Sequence, residues 1–195
     1  MKKQTRILII MIVMMGLCLG MLACSTTPKS KSEKDAARDS LQAMTEGTLA
    51  KLYENEPAAK DAIADAAGYA VFSDFGFKVL LMGGAQGKGV AVNNTTKQET
   101  FMKMVELQPG LGVGAQKYHL VFIFENPDAF NKFVTSGWEL GTNAMASAKD
   151  ESQGAGAAGA VAFSEGVKLY QLNDTGAIVG VSITGAKYYK DDDLN

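Results

Sequence analysis

The sequence predicts an α+β domain: amino-terminal helices packed on a long, curled antiparallel β-sheet, tending towards a barrel, with one helix inserted between the strands. Three observations carry this expectation. Apolar residues recur three or four positions apart before Gly68 and at every second position after it. The strand-like stretches are short, β-branched or aromatic, and punctuated by Gly or Asn. Gly110, Gly112 and Gly114 alternate, so all three lie on one face of a strand. A strand bare on one face bends sharply or admits a close neighbour.

The elements follow in chain order. Ala37, Leu41, Met44, Thr48 and Leu52 form one narrow stripe on a first helix. Pro57 restarts a second, short helix, with Gly68 expected as its left-handed cap. Six strand-like stretches come next, beginning with GYAVF and ending with KYHLVFIFE. In the last, Tyr118, Leu120, Phe122 and Phe124 share one face, and Val121 and Ile123 make the other apolar too, which marks a central strand. Asn126 as cap, Pro127 at the first turn, Phe130, Phe133 and Val134 on one side, and Gly137 as terminator define the inserted helix. The stretch from Trp138 reads as a further strand, with Leu140, Thr142 and Ala144 on the same side. GVKLYQLN and AIVGVSITGAKYYK close the chain as two strands about a turn at Asn173–Gly176. The final KDDDLN reads as a solvated acidic tail.

The amino terminus carries a separate message. Lys2, Lys3 and Arg6 precede a charge-free apolar run from Ile7 to Leu22, the pattern of a secretory signal and short for a membrane span. It ends in Met21-Leu22-Ala23-Cys24. That ending resembles a bacterial lipoprotein signal, although Met21 stands where Leu is usual. The resemblance implies residues 1–23 as a cleaved signal, Cys24 as the site of lipid attachment by acyl chains such as palmitate, and 24–32 as a polar tether. Ser25 after the cysteine implies sorting to the outer membrane, facing the periplasm, rather than inner-membrane retention. Residues 33–195 then form a single domain of a size that supports one core. Loss of the three basic residues from 19 leaves 16 against 21 acidic ones, a balance near −5. Such a charge repels nucleic acid and gives no general attraction to anionic membranes. Membrane attachment is thus expected from the acyl chains, each buried methylene contributing about 0.8 kcal/mol.

Catalytic and cofactor motifs are thinly supplied. Gly154–Gly159, GAGAAG, matches G-x-G-x-x-G, but it follows the polar KDESQ and precedes a stretch too short for a helix. GGAQGKG at Gly83–Gly89 lacks the first glycine and the Ser or Thr of a phosphate loop, and reads as a hairpin turn. Cys18 leaves with the signal and Cys24 is acylated, so one histidine, His119, stands without cysteine partners; no metal site is expected. No serine lies in a nucleophile elbow, and His119 reads as structural. Neither a catalytic residue nor a cofactor is assigned, and the chain is not read as an enzyme.

Three segments together resemble the SYLF domain family, covering most of residues 60–192. They carry Gly83, Gly84, Gly87 and Gly89; then Gly112, Gly114 and Gln116; then Gly176, Gly180, Ser182 and Gly185. The resemblance implies a non-catalytic module that binds lipid or a membrane surface, and the actin-related roles of eukaryotic members do not suit an exported protein. A basic lipid-reading helix is not expected, because Glu33–Glu54 holds Lys34, Arg38 and Lys51 against five acidic residues. The candidate contact residues are Phe75, Phe77 and Lys78, read as aromatics exposed in a hairpin region beside a cation. The expected partners are the membrane through Cys24 and a phospholipid or apolar ligand, with no nucleic acid. Two alternatives stand beside surface binding: a carrier with an apolar ligand inside the curled sheet, and a structural envelope protein acting through protein contacts.

Overall fold

The computed structural model describes residues 30–139, 160–179 and 185–195, with the backbone alone at 78–82, 108–113 and 161. Two 26-residue strands dominate it: β1 (Gly68–Asn93) and β2 (Glu99–Phe124). They pair antiparallel from Gly68↔Phe124 to Val92↔Glu99. Drawn straight at about 3.3 Å per residue, such a ribbon would be about twice as long as a domain of this size is wide. It bends instead, and its register shifts between Leu80 and Met82, opposite Pro109–Gly112. Proline donates no ladder hydrogen bond and glycine tolerates a corner, so the bend falls where the ladder is weakest.

The bend brings the two legs of β1 side by side. The Asn94 amide donates to Ala67 O at 3.0 Å, and the Asn94 side chain donates to Ile63 O and Ala66 O at 2.6 and 2.9 Å. At Gly89 a Cβ would strike Val71 O and the Phe72 ring; at Gly87 it would strike the Asp74 carboxylate and Ser73 O. Glycine is required here by contact between backbones. GGAQGKG is therefore strand rather than hairpin turn, and the turn lies at Asn94–Gln98. Gly68 is corrected in the same way. The second helix ends at Asp65, Ala66 is extended, and Gly68 opens β1, where a Cβ would strike the Phe130 ring and Val92 O.

The rest of the sheet builds outward from β2. Its carboxy-terminal half pairs with β5 (Val167–Asn173), which pairs with β4 (Val161–Ser164) and β6 (Ile178–Val179). Its amino-terminal half pairs with β7 (Ala186–Lys190), which pairs with β3 (Trp138–Glu139). Every pairing is antiparallel, and the sheet curls into a half-barrel. GAGAAG, Leu140, Thr142, Ala144, Gly180 and Ser182 lie outside the described residues; Val161–Ser164 after GAGAAG, read from the sequence only as too short for a helix, is a strand.

Each face of the sheet has its own cover. On the concave side, alternate residues Phe72, Phe122 and Phe124 meet Tyr188 of β7 and α3 (Pro127–Ser136). Their rings are closely packed: Phe72–Tyr188 and Phe124–Phe133 centroids are 5.0 Å apart. The Asn126 side chain accepts from Ala129 N at 2.8 Å, and Gly137 stops α3 with φ of 70°. On the convex side lie α1 (Lys31–Asn55) and α2 (Ala58–Asp65). Leu49, Leu52 and Ile63 pack on Val71, Val121, Ile123 and Leu172, while Ala37 and Leu41 pack on Val90, Val92 and Phe101.

The carboxy-terminal segment is docked, not solvated. Leu194 is buried, Asp191 binds Lys103 Nζ at 2.7 Å, and Asn195 exchanges hydrogen bonds with the Phe101 backbone. Arg38 of α1 donates to Leu194 O at 2.8 Å, tying helix, β2 and terminus together.

A candidate contact face on the convex side of the sheet

Alternation along each strand decides which side chains share the convex face. It carries Val71, Ser73, Phe75 and Phe77 on β1, Phe101, Lys103, Val105 and Leu107 on β2, and Tyr189 on β7. The helices cover the first members of each row and leave the rest. Phe75 is 52% exposed, Phe77 53% and Leu107 68%; Val105 and Tyr189 are also exposed. These residues come from three strands on one side of the sheet. Val105 lies opposite Gln86 on β1 and Lys187 on β7, and Leu107 opposite Gly84.

A groove of about 390 Å³ runs between the legs of β1 on this side, edged by Phe75, Gln86, Val105 and Tyr189 with Lys88, Lys103 and Lys117. The cations differ in freedom. Lys103 is drawn to Asp191, and that hydrogen bond raises its pKa. Lys117 lies 3.4 Å from Asp174, and Lys88 has no ion pair among the described residues.

Phe75 and Phe77 are thus exposed as expected, but in mid-strand rather than in a turn; they lie opposite Lys117 and Ala115. Lys78 follows them in β1, opposite Gly114, and of it the backbone alone is described. Cys24 lies outside the described residues. Val105, Leu107 and Tyr189 escaped the sequence reading. Alternation in ETFMKMVELQ does separate Val105 and Leu107 from Met104 and Glu106, but it does not say which set a helix covers.

His119 lies on the same face beneath α1, 7% exposed. Its Nδ1 is 3.4 Å from Thr48 Oγ1 and its Nε2 is 4.0 Å from Asp174 Oδ1. Burial, then the charges of Lys117 and Lys51, lowers its pKa. A hydroxyl–imidazole–carboxylate line exists in outline, yet Thr48 is buried beneath its helix and the carboxylate is the exposed member. A nucleophile that no substrate reaches does no acyl transfer. The line joins helix to sheet. On the concave side, Asp74, Glu106, Tyr118 and Tyr188 are buried together, with the Tyr118 hydroxyl donating to Glu106 Oε2 at 2.7 Å.

Residues 105–195 match the family model Ysc84, described as Las17-binding protein actin regulator. That region resembles a Ysc84/SYLF family domain. It is also similar to Beta cell expansion factor A of Aeromonas veronii, with 35% identity over 167 residues that make up 86% of this chain. The chain spans 61% of that relative's length. The SYLF family is one of binding domains. Its model begins at Val105, so Val105, Leu107 and Tyr189 of the exposed face lie within the matched region and Phe75 and Phe77 precede it.

Proposed function

We propose that this is a lipid-anchored envelope protein whose SYLF domain is non-catalytic and binds membrane lipid through the convex face of its sheet. One observation carries the reading: Phe75, Phe77, Val105, Leu107 and Tyr189 are exposed on one side of three strands, beyond the cover of the helices. A group of large apolar side chains rimmed by cations is the pattern of an interaction surface rather than of scattered exposure. Lys88 and Lys117 supply the cationic rim. Against a carrier role, the concave side is filled by packed aromatic rings.

In this reading Cys24 bears the acyl chains, residues 24–32 act as tether, and the domain faces the periplasm from the outer membrane. The chain's acidic balance makes apolar insertion the main contribution and charge the minor one. Vesicle flotation of the chain from residue 25 onwards, which cannot be acylated at Cys24, tests the domain alone. The expected result is co-flotation with both neutral and anionic vesicles that persists at high salt. Sedimentation with neutral vesicles, or release by salt, would refute apolar insertion. Metabolic labelling with palmitate tests the anchor: label present in the full chain and absent in Cys24→Ser supports it, and equal label refutes it.

A further inference from the structure

Among the described residues two buried side chains have polar atoms without a hydrogen-bond partner, Asp74 at its carboxylate and Tyr188 at its hydroxyl. Asp74 is 1% exposed, and neither carboxylate oxygen has a hydrogen-bond partner among the described residues. It sits where the legs of β1 touch, with its carboxylate against Gly87 of the other leg, at a spot where no Cβ fits. Asp74 and Gly87 also line the groove beneath Phe75. Asp74 is thus the floor between two strand segments that hold each other by contact.

The chemistry of the surroundings decides which form of the carboxyl fits. The titratable groups facing Asp74 are Glu106 and Tyr118 of β2 and Tyr188 of β7, and none of them brings a positive charge. Lys88, Lys103 and Lys117 edge the same groove but belong to the alternate set of strand residues, on the other face from Asp74. A buried anion without a protein donor is disfavoured, and a second carboxyl nearby adds to that cost. Burial, then the charge of Glu106, raises the Asp74 pKa well above the ordinary carboxylate value.

We propose that Asp74 is a proton-operated latch: as the neutral acid it lets the two legs of β1 close at Gly87, and as the carboxylate it parts them and opens the groove. This goes beyond the membrane reading and does not depend on it. Because the folded state holds this proton more tightly than the unfolded chain, the stabilisation is full below about pH 4 and is lost as pH rises through the folded pKa.

The test uses the full mature chain. Infrared difference spectra between wild type and Asp74→Asn should show the C=O band of a protonated carboxyl in wild type at neutral pH, bleached as pH rises. The melting temperature of Asp74→Asn should gain on wild type as pH increases from about 4 to about 8. After correction for intrinsic rates, amide exchange at Ser73–Phe75 and Gln86–Lys88 should quicken with pH in wild type and not in the variant. A pH-independent gap in melting temperature, or no protonated band, overturns the proposal. If Asp74→Asn does not fold, Glu106→Gln carries the test. The band should persist there with a lower midpoint, whereas its disappearance would assign the proton to Glu106 and overturn the latch.

Discussion

At the scale of single residues, Asp74 and His119 are buried on opposite faces of the same ribbon and bias stability in opposite directions with pH. His119 is held neutral by burial and by Lys117 and Lys51, so its folded pKa lies below its unfolded value. The stability it confers is present above about pH 6.5 and is lost as pH falls through the folded pKa. His119→Gln should therefore flatten the acid side of the melting profile below about pH 6.5; an unchanged slope would show that His119 is not a contributor. The glycines give a contrast of another kind. At Gly89 a Cβ would strike backbone and an aromatic ring, whereas at Gly114 it would meet nothing within 4 Å. Gly89→Ala is expected to lose roughly 1–3 kcal/mol in chemical denaturation and Gly114→Ala well under 1. Equal losses would mean that the legs of β1 do not close as described. Both glycines were legible as members of a pattern, but only coordinates distinguish a glycine that yields to a neighbour from one that does not.

At the scale of elements, legibility followed the range of the signal. The inserted helix was readable because cap, proline, apolar face and terminating glycine all lie within twelve residues, Asn126–Gly137. Asn126→Ala should cost about 1 kcal/mol, measured by thermal or urea unfolding; no loss would contradict the capping bond to Ala129. The stripe of α1 was also visible, and the structure broadens it with Thr45 and Leu49. Leu52, fully buried between α1 and the sheet, should lose about 2–5 kcal/mol on truncation to alanine, and a smaller loss would place α1 off the sheet. The long strands were not legible as such. Their glycines and Pro109 are ordinary turn signals, and reading them so cut β1 and β2 into hairpins. What overrules the local signal is a tertiary fact: the ribbon continues through the bend because its partner strand continues too. The terminal KDDDLN failed for the same reason, since its docking depends on Arg38, Phe101 and Lys103 far away in the chain.

At the scale of the whole molecule, the half-barrel has one side filled by aromatic rings and the other only partly covered by helices. The uncovered part is the candidate contact face. Phe75 and Phe77 were singled out as aromatics of a hairpin and are exposed in mid-strand, whereas their companions on β2 and β7 needed the register. The most direct measurement is vesicle flotation of the non-acylated chain beside a Phe75→Ser, Leu107→Ser double variant. Both side chains are largely exposed, so the variant should keep its melting temperature within a few degrees. If the convex face inserts into lipid, the variant's partitioning should fall about tenfold or more, with neutral vesicles as with anionic ones. Equal flotation of the variant and the parent chain, at equal stability, would contradict the account and move membrane contact elsewhere on the molecule.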